Sequence, residues 1–311
     1  MNSLYRTHRP KKFADVVGQK HITQTLINQI KSNRVSHAYL FCGTRGTGKT
    51  TVAKIFANEL ANALDVFEID AASNNSVGDV RDIIEKVKYP PVMGKNKVYI
   101  IDEVHMFSSS AFNAFLKTLE EPPAHVIFIL CTTEPNKLLP TVQSRCLRFD
   151  FRPVSTENLS KLLKSILVKE NIKITDGAIN MLSIAGCGSC RDALSFTETV
   201  VAYSGVKEIT EADVSEVLGT VSTATLQKLL SDILANKKTD IIKAVTQIFT
   251  RGINTNMLIK NFIDVIKTDY LSNSELQIVF QIFCELELSI KNSTDPKSHF
   301  ENACLLACGN K

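Results

Sequence analysis

Four short, largely apolar runs punctuate the first half of the chain, at Ala38–Cys42, Val66–Ile69, Val98–Asp102 and Val126–Thr132. Between them apolar residues recur three or four positions apart, the spacing of one helix face. Strands that alternate with helices predict a parallel sheet covered on both sides. In Val98-Tyr99-Ile100-Ile101 four apolar or aromatic residues follow one another behind the Gly94-Lys95-Asn96 turn, as a strand buried on both faces requires. After Phe151-Arg152-Pro153 the strand signal disappears. Thr156–Lys169, Thr175–Ala185, Arg191–Tyr203 and Glu211–Leu218 read as short amphipathic helices with Thr, Ser or Asp near their starts. Past Gly219-Thr220-Val221 the pattern is helical throughout: Ser222–Ala235, Thr239–Arg251, Asn256–Lys267, Ser274–Asn292 and Pro296–Cys308. The pattern predicts an α/β domain at 1–153, a small helical domain at 154–219 and an all-helical domain at 220–311, with no internal repeat.

Composition narrows this to a soluble, cytoplasmic chain. Its 311 residues, 44% hydrophobic and 22% charged, suffice for two or three cores. The apolar runs are too short to span a membrane, and the N-terminus lacks the hydrophobic region of a signal peptide. The eight cysteines are scattered, mostly in apolar segments, and read as reduced, buried thiols. Cys187 and Cys190 have metal-ligand spacing but no second pair beside them. Cys304 and Cys308, one helical turn apart, are expected to pack, so zinc is not expected. A net charge of +4 permits nucleic-acid contact without arguing for it.

The candidate chemistry begins where the first apolar run ends. Gly43-Thr44-Arg45-Gly46-Thr47-Gly48-Lys49-Thr50 has the form of a phosphate-binding loop, and a helical pattern starting at Thr51 follows it. Glycines let the backbone curl its N–H groups toward phosphates, Lys49 adds a point charge, and the Thr50 hydroxyl is a ligand for Mg²⁺. A helix N-terminus also faces the anion. Two carboxylates, Asp102 and Glu103, close the third apolar run. Asp102 is placed to hold Mg²⁺, and Glu103 to orient and polarise an attacking water. The expected ligand is therefore a nucleotide phosphate with Mg²⁺.

A wider set of motifs carries a family resemblance. Tyr5-Arg6-Thr7-His8-Arg9-Pro10 is followed by Phe13-Ala14-Asp15-Val16-Val17-Gly18-Gln19. Asp102-Glu103-Val104-His105 leads to Leu119-Glu120-Glu121-Pro122-Pro123, then to Cys131-Thr132-Thr133-Glu134-Pro135, Ser144-Arg145-Cys146 and Gly188-Ser189-Cys190-Arg191-Asp192. Together these resemble the bacterial DNA polymerase III clamp-loader ATPase, the tau/gamma subunit. The resemblance implies an AAA+ ATPase domain with a helical lid and an all-helical oligomerisation collar. It implies an ATP-hydrolysing subunit of the polymerase III holoenzyme that loads a sliding clamp onto primer–template DNA. Further tau/gamma copies, delta and delta-prime would be its partners. It assigns Arg9, Pro10, Val16 and Val17 to the adenine pocket and Thr133 to sensing the γ-phosphate or catalytic water. Arg191 would reach back to the nucleotide from the lid, and Arg145 would act as an arginine finger in a neighbouring subunit's site.

In the family a four-cysteine zinc module separates the helix after the phosphate loop from the next strand. Here Asn58-Glu59-Leu60-Ala61-Asn62-Ala63 runs almost directly into Leu64-Asp65-Val66, with no cysteine. The chain lacks that module, and because it stops near the end of the helical tail it resembles the short, gamma-like form. Duplex contacts would fall to Arg81 and Lys117, with Ser73 and Asn74 adding hydrogen bonds near a helix start. Two other readings remain open: a non-hydrolysing, delta-prime-like structural subunit, and another AAA+ machine such as a Holliday-junction motor or a eukaryotic-type small clamp-loader subunit. The intact Lys49, Thr50, Asp102 and Glu103 favour the motor.

Overall fold

The computed structural model describes residues 3–205, 207–219, 221–250, 253, 255–269, 274–290 and 295–309. The predicted boundaries at Thr220, Arg251, Asn292 and Lys311 lie outside the described residues. The chain forms two compact units, Met1–Ile166 with Gly186–Ser195, and Leu167–Ala185 with Phe196–Lys311.

The first unit holds a five-stranded sheet of β1 (Ala38–Cys42), β2 (Val66–Asp70), β3 (Lys97–Asp102), β4 (Val126–Thr132) and β5 (Leu147–Asp150). Their order is β2-β3-β4-β1-β5, and every pairing is parallel. Six helical segments accompany it: α1 (Leu4–Thr7), α2 (Lys20–Lys31), α3 (Lys49–Leu60), α4 (Val77–Val87), α5 (Ser109–Glu120) and α6 (Pro140–Gln143). Side chains alternate across the sheet, so β1 serves two cores. Tyr39 and Phe41 join Ile22 and Leu26 of α2 and Phe56 of α3 on one face. Leu40 joins Val80 of α4 and Phe115 of α5 on the other. An edge-to-face pair closes each layer, Tyr39 with Phe56 at 4.9 Å and Phe115 with Phe128 at 5.0 Å between ring centroids.

The four strands expected from the apolar runs are present. β5 is an addition that the pattern did not signal. Leu147-Arg148-Phe149-Asp150 is short, alternates apolar with charged residues and pairs only with β1, so it carries the weak signature of an edge strand.

The helical elements continue as α7 (Thr156–Lys169), α8 (Asp176–Ala185), α9 (Cys190–Ser204) and α10 (Glu211–Leu218). In the second unit a parallel bridge between Ile174 and Ile209 joins the approaches to α8 and α10, and Thr175 Oγ1 donates to Glu211 Oε2 at 3.0 Å. Thereafter α11 (Thr223–Leu234), α12 (Lys238–Thr250), α13 (Thr255–Asp269), α14 (Ser274–Ser289) and α15 (Pro296–Gly309) enclose a core of their own. Leu258, Ile259, Phe262 and Ile263 are buried inside it. They stabilise the helical unit itself, so an oligomerisation role cannot rest on them. Cys304 and Cys308 lie in the same core, where the Cys308 thiol donates to the Cys304 carbonyl at 3.2 Å. No helix among the described residues is long and apolar enough to cross a membrane.

The Phe262 ring packs 4.7 Å from that of Phe283 and 6.1 Å from that of Phe300. Phe262→Ala should therefore destabilise the helical unit by about 3–5 kcal/mol, the usual cost of emptying a buried phenylalanine site. Urea denaturation followed by far-UV circular dichroism measures this, and a loss below about 1 kcal/mol would show that the core refills the void.

Candidate functional site: a phosphate loop facing paired carboxylates

β1 ends at Cys42 and α3 begins at Lys49, so residues 43–48 must turn sharply between a strand and a helix N-terminus. Gly48 adopts φ +103°, in the left-handed region, with open space where a Cβ would project. Gly46 adopts φ +76°, and a Cβ there would overlap Ser189 Oγ, because the Cys190 N–H donates to the Gly46 carbonyl at 3.0 Å. The start of α9 therefore rests on the phosphate loop. Gln19, fully buried, clips the loop from beneath, donating to the carbonyls of Arg152 (2.7 Å) and Thr47 (3.4 Å). Lys49 Nζ donates to the carbonyls of Gly43 (2.8 Å) and Thr44 (3.0 Å). Burial lowers the Lys49 pKa, and the charge of Glu103 opposes that fall. Partly desolvated beside an open loop, the ammonium is ready to gain from an anion.

Opposite the loop stands the end of β3. Thr50 Oγ1 donates to Asp102 Oδ2 at 2.7 Å, so the two expected Mg²⁺ ligands already meet. Burial first, and the neighbouring Glu103 charge next among the opposing influences that raise it, push the Asp102 pKa up. A cation would relieve both. Glu103 leaves the strand with φ +48°, a left-handed conformation costly for a residue with a Cβ. Its Oε2 accepts from the Thr133 hydroxyl (2.9 Å) and the Thr133 N–H (3.2 Å), at the end of neighbouring β4.

These elements surround a cavity of about 550 Å³. Arg45, Gly46, Thr47, Gly48, Lys49 and Thr50 form one wall, with Asp102 and Glu103 facing them. Arg9, Pro10, Val16 and Val17 form another, where Arg9 Nε donates to Thr51 Oγ1 at 3.1 Å. Arg191 closes the mouth with its guanidinium 5.0 Å from the centre of the Tyr5 ring. An apolar wall, a basic loop and a hydroxyl–carboxylate pair together fit a nucleotide triphosphate with its divalent cation. Among the described residues no three His, Cys, Asp or Glu side chains converge into a metal cage of their own.

The remaining predicted residues stand elsewhere. Gly43 and Thr44 present the carbonyls that receive Lys49, and the Thr133 hydroxyl donates to Glu103. Arg145 lies apart, half exposed, bound to Glu120 (2.7 Å) and to the Thr141 carbonyl (2.6 Å). Arg81 on α4 and Lys117 on α5 are exposed. Ser73 and Asn74 lie just before α4, in a turn held by Asp70, whose carboxylate accepts from Ser73 Oγ and whose carbonyl accepts from Asn74 Nδ2, each at 3.0 Å. α4 starts four residues after Ser73 and is closed by a capping box, with Ser76 accepting from the Asp79 N–H and Asp79 from the Ser76 N–H.

Several contributors escaped the sequence reading. Tyr5, Arg6 and His8 line the cavity from a stretch quoted only for its resemblance, and Leu162 and Leu194 reach it from distant helices with no local signal. The cysteines nearby are unreactive: burial lifts Cys42 and Cys190 to about 11 and Cys146 to about 12.

A parallel sheet with a phosphate loop after β1 and paired acids after β3 defines an AAA+-type P-loop fold. Thermotoga maritima RuvB, described as a Holliday junction branch migration motor, shares that fold with a TM-score of 0.58 at 19% identity over 82% of this chain and 90% of its own. Residues 18–66 and 61–155 match the family "DNA polymerase III, delta subunit". Residues 158–206 match "DNA polymerase III clamp loader subunit, ATPase lid domain", and 209–270 match "DNA polymerase III subunits gamma and tau domain III". DNA polymerase III subunit tau of Bacillus subtilis is 42% identical over 283 residues, 84% of this chain and 50% of that protein. The tau subunit of Escherichia coli is 40% identical, over 82% of this chain and 43% of its own length. DNA polymerase III subunit gamma of Buchnera aphidicola subsp. Baizongia pistaciae is 35% identical, over 83% and 75%. The chain belongs to the DNA polymerase III tau/gamma family of clamp-loader subunits. It spans half or less of the length of these two tau relatives.

The raised pKa of Asp102 has a stability consequence. A carboxyl whose folded pKa lies above its unfolded value favours the folded state at low pH, and that contribution is lost as pH rises through the folded pKa. In buffer free of nucleotide and Mg²⁺, Asp102→Asn should therefore raise the melting temperature at pH 7.5. The gain should shrink as pH falls and vanish near the ordinary aspartate pKa of about 3.9. A gain that does not change with pH would assign it to hydrogen bonding rather than charge.

Proposed function

We propose that this chain binds and hydrolyses ATP as the motor subunit of a DNA polymerase III clamp loader, coupling turnover to placing a sliding clamp on primer–template DNA. The observation that carries the reading is the Thr50–Asp102 contact facing the phosphate loop, with Glu103 anchored beside it by Thr133. Lys49 and the loop N–H groups bind the β- and γ-phosphates, and Thr50 and Asp102 hold Mg²⁺. When bound, that cation neutralises charge on the phosphate oxygens. Glu103 takes a proton from the attacking water, and Thr133 keeps its carboxylate aimed. Arg9, Pro10, Val16 and Val17 seat the base, and Arg191 couples the nucleotide to α9. Retention of the whole set weighs against a non-hydrolysing structural subunit.

The reading divides the chain into an ATPase domain at 1–153, a lid at 154–219 and a collar at 220–311. Its partners are further tau/gamma copies, delta, delta-prime and the clamp, in the cytoplasm. Arg145 serves a neighbour's site once it exchanges Glu120 for phosphoryl oxygens, where a guanidinium stabilises spreading charge. Arg81 and Lys117 offer exposed charges for DNA phosphates.

Lys49→Ala should abolish ATP binding, because it removes a charge from the ground-state cradle. Glu103→Gln should keep binding and lose turnover by about 10²–10⁴-fold, the share of a general base. Fluorescent-nucleotide titration and phosphate release separate the two, and equal loss of binding in both variants would refute this division.

Arg145→Ala should bind ATP normally yet hydrolyse it poorly in the assembled complex. Mixing it with the Lys49→Ala protein should show that the defect depends on which subunit carries which change. A defect that is the same in every arrangement would return Arg145 to a surface role.

A further inference from the structure

The turn after β3 carries a buried histidine that the ATPase chemistry above does not use. His105 is only 6% exposed in its side chain. Its Nδ1 lies 3.0 Å from Thr132 Oγ1 and 3.5 Å from Glu103 Oε2, while Nε2 lies 3.4 Å from Glu134 Oε1. Glu134 is tied in turn: its N–H donates to Thr132 Oγ1 at 3.0 Å, and Lys137 Nζ donates to its carboxylate at 3.0 Å. The imidazole thus bridges the ends of β3 and β4, with a carboxylate oxygen facing each ring nitrogen.

We infer that His105 is a positioning residue for Glu103, a role that rests on the ATP-hydrolysis reading of the site. The Thr133 N–H and hydroxyl both donate to Oε2 of Glu103, and the His105 ring, hydrogen-bonded to Thr132, stands 3.5 Å from the same oxygen. Oε1 accepts none of these and is the oxygen left to take a proton from water. A glutamate has three side-chain torsions, and this one also sits on left-handed backbone at φ +48°. Such a residue keeps one direction only if its surroundings over-determine it. Thr133 supplies two restraints from β4. His105 closes off the space beside that oxygen, and through Thr132 and Glu134 it holds the strand end that presents Thr133. A buried histidine that merely fills space needs one hydrogen-bond partner; this one spans the carboxylate and the strand end carrying its anchor.

The test uses the full chain in its assembled complex, with MgATP. His105→Ala should slow single-turnover hydrolysis by roughly tenfold or more, a part of what a whole general base supplies. ATP affinity should change by less than about twofold, since the defect lies in a group acting after binding. His105→Asn, whose amide can occupy the Nδ1 position and hydrogen-bond Thr132, should recover more activity than His105→Gln, whose amide reaches the Nε2 position instead. In a Glu103→Gln background His105→Ala should cause no further loss, because the group it orients is gone. Should alanine unfold the chain, the Asn-over-Gln order and the Glu103→Gln background measured with His105→Gln carry the same decision. Equal rates for His105→Ala and the unaltered chain, an Asn variant no better than Gln, or an undiminished penalty in the Glu103→Gln background would each overturn the assignment. Absence of hydrolysis by the assembled complex of unaltered subunits would instead overturn the ATPase reading, and this inference with it.

Discussion

The hydrogen bond from Thr50 to Asp102 joins residues 52 positions apart, and it forms only because the sheet is parallel and ordered β2-β3-β4-β1-β5. That order leaves β1 and β3 on either side of β4, so the loop leaving β1 and the acids leaving β3 emerge at one edge. β4 lies between them and delivers Thr132, Thr133 and Glu134 to the same place. Sheet order thus brings together a basic loop, a hydroxyl, two carboxylates and a histidine, each of which would otherwise be an ordinary strand end or turn.

Gathering those groups strains the resting protein. Asp102 is desolvated beside another acid, Lys49 is desolvated while bound to carbonyls, and Glu103 occupies left-handed backbone. The costs are tolerated because the rest of the unit is tightly packed, with two apolar layers either side of β1 and aromatic pairs closing each. A magnesium nucleotide would relieve the electrostatic part by placing a cation at the carboxylates and an anion at the lysine. Affinity and local instability are in this sense two views of one arrangement.

The helical unit follows a different logic. Helices α11 to α15 bury their apolar faces against one another, and the rings of Phe262, Phe283 and Phe300 pack together in that core. Counting apolar residues along α13 cannot distinguish an internal core from an interface, because both demand the same amphipathic spacing. What such a unit offers to other subunits must come from its exposed residues.

Much of the site was written locally. The phosphate loop, the paired acids after a buried strand and the helix that follows the loop are contiguous patterns with short-range physical causes, so they can be read from the chain alone. The helix limits are likewise local, set by caps and apolar periodicity, and the structure moved most of them by only a residue or two. β5 was not legible because its four residues become a strand only by pairing with β1, more than a hundred residues earlier. The engagement of Arg145 by Glu120 and the bridge that His105 builds between Glu103 and Glu134 were decided by tertiary structure. Residue type and spacing state which groups a segment carries. Only the packed sheet determines which of them come within hydrogen-bonding distance, because that depends on strand order and on contacts remote in sequence.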